Sequence, residues 1–319
     1  MGKMTVYTES YGCSASLSDG EIMAGILVGA GLEPVAKPEL ADIIIVNTCY
    51  VKQKTEQRIL SRLREICEKW PEKRLIITGC IPQAAPEKIS RAAPGASLVS
   101  SHRISEIDKA VRKAFEGKRV VFLGRSGAEK ANLPKIRKNP LVDIIQISSG
   151  CLGNCSYCGT KLAKGSLISY LPERIVSEVK CAKAQGCKEF WLTGQDIGCY
   201  GFDIGTGLPE LLRQVLEVKG QYLLRLGMMN PAHLEKILGP LLDTCEDGRV
   251  CKFFHIPVQA GSDGVLKDMK RGYSVEDFER QVQKIREKFG DFATIGTDII
   301  VGYPTETEED FEQTLGLLE

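Results

Sequence analysis

Residues 142–158 run a strand pattern straight into three cysteines, and that junction constrains the chain more than any other. Val142–Ile147 is largely apolar and β-branched, and Gly150-Cys151-Leu152-Gly153-Asn154-Cys155-Ser156-Tyr157-Cys158 follows at once. The C-x3-C-x2-C spacing places three thiols on one short loop at the end of a strand. Three thiolates can hold three irons of a [4Fe–4S] cube and leave the fourth open, whereas an electron-transfer cluster normally takes four cysteines. An open iron can bind S-adenosylmethionine (SAM) through its amino and carboxylate groups. An electron from the cluster then cleaves SAM into methionine and a 5′-deoxyadenosyl radical, with the protein holding the cofactor in place. The competing readings are incidental cysteines or a zinc site. Zinc favours paired C-x2-C units with four ligands, and no second close pair is present.

Around this loop the chain alternates strand and helix signals, as a parallel sheet with helices on its faces requires. In residues 1–125, strands are expected at Met4–Thr8, Ile43–Val46 and Leu75–Thr78. The unbroken β-branched run Ile43-Ile44-Ile45-Val46 fits a strand buried on both faces. Ser18-Asp19-Gly20-Glu21 reads as a capping box opening a helix that stops at Gly31. Thr55–Trp70 has helical periodicity and ends before Pro71. Residues 126–140 lack periodicity and read as a linker. Its Lys130, Lys135, Arg137 and Lys138 read as solvated charges or as contacts to RNA phosphates. From 141 to 319 the alternation restarts. Strands are expected at Val142–Ile147, Glu189–Thr193, Tyr222–Leu226, Phe253–Val258 and Thr294–Val301. Helices are expected at Pro172–Gln185, Leu208–Val218, Ala232–Leu242, Val275–Phe289 and Glu308–Leu318. Five β/α units of this kind can curl into a partial barrel with its site at the strand C-terminal ends.

The chain has 319 residues, a prior for two domains. Its net charge is +1, weak for a dedicated nucleic-acid domain. No apolar run reaches membrane-span length, and the first residues lack a secretory signal. A cytoplasmic location with no membrane contact is expected. In a reducing compartment, the twelve cysteines favour metal binding or catalysis over disulfides. Cys13, Cys49 and Cys80 each follow a strand candidate. Loops after successive parallel strands gather along one sheet edge, so these three can converge. A second [4Fe–4S] cluster or three small buried thiols are both open on spacing alone. Cys67, Cys181, Cys187, Cys199, Cys245 and Cys251 read as packing or surface thiols.

Together these residues closely resemble the radical SAM methylthiotransferase family over nearly the whole chain. Tyr11-Gly12-Cys13, Asn47-Thr48-Cys49 and Gly79-Cys80 match its N-terminal cluster domain. Several stretches are similar to the archaeal and eukaryotic branch acting on N6-threonylcarbamoyladenosine (t6A). They are Gly150–Cys155, Thr160-Lys161-Leu162-Ala163-Lys164-Gly165, Ser169-Tyr170 and Leu226-Gly227-Met228-Met229-Asn230-Pro231. Pro257–Ser262 and Asp298–Pro304 resemble barrel motifs shared across the family. Ser16 stands where the family usually has Asn, and Lys164 where it has Arg, which keeps the charge but loses the bidentate fork.

The resemblance implies an N-terminal cluster-binding domain (1–125), a linker (126–140) and a radical SAM core (141–319). It also implies a sixth β/α unit and a C-terminal RNA-binding β-domain, so the core reads as truncated before its last unit. A chain so ended is expected to be aggregation-prone alone, or to pair with another copy or element across the open edge, and to bind tRNA weakly. Two [4Fe–4S] clusters are implied, at Cys13, Cys49 and Cys80 and at Cys151, Cys155 and Cys158. Two SAM molecules have different fates. One methylates sulfur held on the N-terminal cluster. The other yields the radical that removes hydrogen from C2 of t6A at position 37 of tRNA, where the methylthio group is then placed. An electron donor and a sulfur source are implied as partners.

Tyr157 is placed to lie against the adenine of SAM, or simply to pack its loop. The strand-end residues Gly194, Gln195, Arg225 and Gln259 are expected SAM contacts, with ordinary strand-end hydrogen bonding as the alternative. Lys161 and Lys164 could face the t6A carboxylate or a phosphate, or stand in solvent. His102, His233 and His255 read as structural or exposed, with no catalytic side chain beyond the clusters. Two readings keep the chemistry and change the target, to isopentenyladenosine tRNA or to a ribosomal-protein aspartate. A non-enzymatic iron–sulfur or zinc module is the alternative of another class.

Overall fold

The computed structural model describes residues 4–125 and 129–319. The chain divides into two compact units. One runs through Asn139 and takes in Gly159–Gly165; the other comprises Pro140–Cys158 and Ser166–Glu319.

β-Branched runs build the first unit's sheet. Its strands are β1 (Thr5–Ser10), β2 (Glu33–Pro34), β3 (Ile43–Thr48), β4 (Arg74–Gly79), β5 (Ser97–Ser100) and β6 (Val121–Phe122). They pair in the order β2-β1-β3-β4-β5-β6, every pair parallel. All six residues of β3 are buried, as an unbroken Ile/Val run at the sheet centre demands. Helices α1 (Ser14–Gly29) and α5 (Ile107–Phe115) contribute Ile22, Met23, Ile107 and Val111 to a core with Ile43 and Ile45. Helices α2 (Gln53–Lys69), α3 (Ile81–Ala84) and α4 (Pro86–Ala92) contribute Ile59, Leu63, Ile81 and Ile89 to a second core with Ile44 and Val46. Alternate residues of β3 thus feed opposite faces. The strand order reverses at β1/β3, and in open α/β sheets ligands bind outside the strand C-terminal ends at such a switch point. Helix α6 (Gly159–Lys164) also belongs to this unit.

Two expectations change here. Ser18 and Glu21 do not cap a helix: α1 opens at Ser14 with Cys13 as its N-cap, and both residues lie buried inside it. Lys130 is not solvated either. It is 5% exposed, and its Nζ lies 2.5 Å from Asp19 Oδ1. Residues 126–128 of the expected linker lie outside the described residues, while 129–139 pack with the first unit.

The second unit carries β7 (Val142–Gln146), β10 (Glu189–Thr193) and β11 (Leu223–Leu226) in the order β11-β10-β7, with β12 (Phe253–His255) parallel to β13 (Thr294–Gly296). Parallel bridges Leu224↔Val250 and Met228↔His255 carry the curl from β11 towards β12. A short antiparallel pair, β8 (Ser148–Ser149) and β9 (Ile168–Ser169), lies just past β7. Helices α7 (Pro172–Ala184), α8 (Leu208–Leu216), α9 (Pro231–Leu234), α10 (Leu238–Thr244), α11 (Asp263–Asp268), α12 (Val275–Phe289) and α13 (Glu308–Leu318) alternate with these strands. The expected helix Ala232–Leu242 is two helices. Pro240 would block a continuous helix by its missing N–H and its ring, and the break before Leu238 puts it in a first turn. Among the described residues, no helix is long and apolar enough to cross a membrane.

Candidate functional site

In the first unit, three cysteines stand at the C-terminal ends of three neighbouring strands. The register pairs Ser10 with Asn47 and Thr48 with Gly79. Cys49 and Cys80 each follow their strand directly, and Cys13 follows β1 by three residues. Backbone and side-chain bonds hold the three ends level. Tyr11 N–H donates to Asn47 O (3.0 Å), Cys80 N–H donates to Thr48 O (3.0 Å), and Asn47 Nδ2 donates to Ser16 O (2.7 Å). Ser16, at the place where the family usually has Asn, donates its hydroxyl to Tyr11 O at 2.7 Å.

The turns are too tight for side chains. A Cβ at Gly12, whose φ is +116°, would stand 2.8 Å from Cys49 Sγ. A Cβ at Gly79, whose φ is +96°, would stand 2.2 Å from Thr48 O. Gly79→Ala therefore combines left-handed strain with a clash on main chain. It is expected to cost roughly 2–4 kcal/mol, read as a lower urea midpoint, and to reduce the iron retained after anaerobic reconstitution.

Cys13, Cys49 and Cys80 are electrostatically coupled. A hydrogen bond from Cys49 brings the Cys13 thiol down to about 6, against burial, and Lys164 assists. The same hydrogen bond, with burial, pushes Cys49 up. Burial raises Cys80, while the Lys164 charge opposes the rise.

In the second unit the cysteine loop leaves β8 at Gly150, where φ is +79°. Gly150 N–H donates to Gln195 Oε1 at 2.6 Å. Gly153 N–H donates to Cys151 Sγ at 3.2 Å, and a Cβ there would stand 3.3 Å from Cys151 Sγ and 3.8 Å from Cys155 Sγ. These two sulfurs therefore flank one point. Cys158 N–H closes the turn onto Cys155 O at 3.1 Å. Arg271 donates from Nη1 to Cys155 Sγ (3.4 Å) and from Nη2 to Pro257 O (2.8 Å). Burial opposes its charge, but Tyr273, Tyr157 and the Cys155 hydrogen bond outweigh it and raise the Arg271 pKa above its ordinary value. Tyr157 packs against Ala260, Val265, Leu266 and Met269, and burial raises its phenol.

One set of residues escaped the sequence reading. Cys151 Sγ, an Asp196 carboxylate oxygen and Cys199 Sγ lie within 4.8 Å of one another, the only such donor trio among the described residues. Cys199 had read as an ordinary thiol. It is fully buried, and its hydrogen bond brings Cys151 down to about 7. Asp196 accepts from Gly198 N–H (2.9 Å) and Asn230 N–H (3.1 Å), and His233 Nδ1 lies 2.5 Å from its Oδ2. The available signal was position: Asp196 lies three residues past the end of β10, where barrel sites form.

The other expected contacts separate. Gln195 holds the cysteine loop through Gly150. Gly194 follows β10, and a Cβ there would stand 2.7 Å from Ser148 Oγ. The hydroxyls of Ser148 and Ser149 are buried without a hydrogen-bond partner among the described residues. Arg225 lies between Trp191 and Phe253, 4.7 Å and 5.0 Å from the ring centroids. Gln259 has φ +79°, and its N–H donates to Asp298 O at 2.9 Å. Lys164 is 3% exposed, with Nζ 3.4 Å from Asp19 Oδ2. It is therefore not a solvated lysine.

Residues 145–318 match the radical SAM superfamily, and residues 5–101 match the Uncharacterized protein family UPF0004. A "probable threonylcarbamoyladenosine tRNA methylthiotransferase" of Methanothermobacter thermautotrophicus is 41% identical over 319 residues, covering 100% of this chain and 75% of that protein. The chain belongs to the threonylcarbamoyladenosine tRNA methylthiotransferase family. A second archaeal member, from Pyrococcus abyssi, is 41% identical and covers 98% of this chain and 73% of its own length. The human threonylcarbamoyladenosine tRNA methylthiotransferase is 40% identical, and the chain spans 55% of it. The fold is shared more widely among radical SAM enzymes. The methyltransferase TsrM of Kitasatospora setae, solved with cobalamin and a [4Fe-4S] cluster bound, superposes with a TM-score of 0.69 at 15% identity, covering 100% of this chain and 73% of that one. The cobalamin-dependent enzyme OxsB gives 0.68 at 14% identity, covering 99% and 52%. This family member is thus an enzyme of the radical SAM type.

Proposed function

We propose that this chain adds a methylthio group to C2 of the adenine ring of t6A at position 37 of tRNA. The observation that carries the reading is two separate cysteine triads in a chain of this family. In the proposal, Cys151, Cys155 and Cys158 hold one [4Fe–4S] cluster, and Cys13, Cys49 and Cys80 hold another. The donor chemistry fits both: soft thiolates, three to a site, on loops that glycines keep open. When bound at Cys151, Cys155 and Cys158, the cluster supplies the electron that cleaves SAM reductively.

The chain's own residues do the rest by holding and shaping. Gln195 fixes the loop through Gly150 N–H, and Arg271 hydrogen-bonds Cys155 Sγ, which stabilises negative charge on that sulfur. Cys199 and the Gly153 N–H do the same for Cys151. Tyr157 closes one side of the loop against apolar side chains, which excludes water there. The Ser148 and Ser149 hydroxyls, Gly194 and Gln259 offer polar or open positions for SAM at the strand ends. Arg225, held between two rings, offers a fixed cation for a carboxylate or a ribose. Residues 1–125 act as the cluster-binding domain and 141–319 as the radical SAM core. A one-electron donor and a sulfur source act from outside the chain, and the enzyme works in the cytoplasm.

The test is anaerobic reconstitution followed by reaction with SAM, dithionite, sulfide and t6A-containing tRNA. Nucleoside mass spectrometry should show the methylthio derivative of t6A, with 5′-deoxyadenosine formed alongside. Isopentenyladenosine tRNA should give no product. A protein that bound zinc but no iron, and cleaved no SAM, would sink the proposal and favour a metal-binding module.

A further inference from the structure

Surface charge in the first unit is concentrated on one helix, and it has no part in the roles assigned above. The whole chain carries a net charge of +1, yet residues 52–64 hold five basic side chains, Lys52, Lys54, Arg58, Arg62 and Arg64, against one acidic, Glu56. Glu56 is paired with Lys88 of α4, and Arg62 with Glu9 of β1 and with Glu65. Lys52, Lys54, Arg58 and Arg64 are exposed, and none of their side chains enters an ion pair among the described residues. A solvated helix face commonly alternates the two signs in salt bridges, as the later turns of α2 do with Arg62, Glu65 and Lys69. Its first turns do not.

Position gives this charge a meaning. β3 ends at Thr48, Cys49 follows, and α2 begins at Gln53. The first turns of α2 therefore stand at the sheet edge that carries Cys13, Cys49 and Cys80. A contact ties them to it. The Arg58 guanidinium lies 5.7 Å from the ring centroid of Tyr11, two residues before Cys13, and Tyr11 N–H is fixed on Asn47 O. Tyr50, next to Cys49, has Lys88 Nζ 5.0 Å from its ring centroid and 3.2 Å from its hydroxyl. Cations set against aromatic rings thus accompany two of the three cysteines. Positive charge that tracks the phosphates, together with aromatic and guanidinium faces for the bases, is what a single-stranded nucleic acid needs from a protein surface.

We propose that Lys52, Lys54 and Arg58, at the start of α2, form a phosphate-binding surface for the anticodon-loop nucleotides that flank t6A. This rests on the reading of t6A tRNA as substrate and of Cys13, Cys49 and Cys80 as ligands of the cluster that holds the sulfur. The acceptor base must then come up to this sheet edge. Each neighbouring nucleotide brings a phosphate with it, and the surface beside the triad is where those phosphates lie. Tyr11 holds Arg58 in place there by its ring face, so the cation is fixed close to the cluster edge. The surface also answers how a chain of net charge +1 engages RNA: the useful charge is local.

The experiment uses the full chain after anaerobic reconstitution and a fluorescently labelled anticodon stem-loop containing t6A. Binding is measured by anisotropy at salt concentrations from about 50 to 200 mM, and the slope of log affinity against log salt is read. Lys52→Gln, Lys54→Gln and Arg58→Gln combined should make that slope shallower by about 2 and weaken binding roughly a hundredfold at about 100 mM salt. Arg58→Lys keeps the charge and should keep the parent's slope. Lys118→Gln removes one exposed cation just before β6, at the opposite end of the sheet, and should leave slope and affinity at the parent's values. Circular dichroism should match the parent throughout, because every side chain changed is exposed. Should the triple variant misfold, Lys54→Gln and Arg58→Gln singly decide, each expected to change the slope by about 0.7. A loss from Lys118→Gln as large as that from either single variant would overturn the proposal, since only net charge would then matter. A parent that binds no stem-loop at the lowest salt removes the tRNA reading and this one together. A parent that binds it with a slope indifferent to the α2 substitutions removes this one alone.

Discussion

Replacing Cys151, Cys155 and Cys158 together with alanine is expected to abolish SAM cleavage and to remove half of the iron. With a cubane at each triad the reconstituted chain should hold about eight irons, and the variant about four. The loop should survive the change. Its anchors are Gly150 N–H on Gln195 Oε1, Ser156 N–H on Met269 O and Ser156 Oγ on Asp268 O, none of which uses a thiol. The three residues are half-buried and lie on a loop outside the strands and helices, so circular dichroism should match the parent. Cys199 does not replace the lost ligands. Burial and its contact with Cys151 keep it protonated in the parent, and one buried thiol beside Asp196 cannot hold a cube. 5′-Deoxyadenosine, quantified by chromatography after dithionite and SAM, should fall to background. Continued cleavage at parent rates would place the radical chemistry elsewhere in the chain.

How far the sequence revealed the molecule depends on how many residues carried each signal. Ile43–Val46 was legible because four consecutive β-branched residues leave little choice but a central strand, and β3 is buried throughout. Val275–Phe289 matches α12 to the residue, and in the structure Ser274 and Asp277 close its start with a true capping box. Ser18 and Glu21 have the same spacing without the role, since the chain is already helical from Ser14. Strands β5 and β6 and helix α5 were missed. Ser97–Ser100 and Val121–Phe122 are too short to show alternation, and their place comes from pairing with β4 and with each other. The expected strands Phe253–Val258 and Thr294–Val301 stop early, at His255 and Gly296, with only the Gln259↔Ile299 bridge beyond.

The ligand candidates were legible because sulfur at a strand end is a rare residue in a telling place. Their surroundings were not. Asp19, Lys130 and Lys164 are separated by 111 and 145 residues along the chain from carboxylate to ammonium. Nothing local distinguishes Lys130 from a solvated lysine. Cys199 and Asp196 were hidden in the same way, since their meaning comes from Cys151, 45 residues or more before them.

Replacing Cys13, Cys49 and Cys80 with alanine should give the complementary result: 5′-deoxyadenosine still forms, and no methylthio product appears. The argument starts from the two cores. The first triad stands on the sheet of β1, β3 and β4, and the second on the loop after β7 in a unit with its own strands and apolar interior. Removing thiols from one sheet edge takes no ligand from the other loop. Each Cys→Ala change at buried Cys49 and Cys80 should cost on the order of 1 kcal/mol, and the strand ends keep Thr48 Oγ1 on Thr78 O at 2.6 Å and Cys80's backbone N–H on Thr48 O. The unit should therefore remain folded, which circular dichroism and a urea titration can check. About four irons should remain. SAM, dithionite and t6A-containing tRNA should then yield 5′-deoxyadenosine while nucleoside mass spectrometry finds unmodified t6A. Methylthio product at the parent level would show that the N-terminal triad has no part in the sulfur chemistry. Loss of both products in a folded variant that keeps its four irons would show that the two triads do not divide the work.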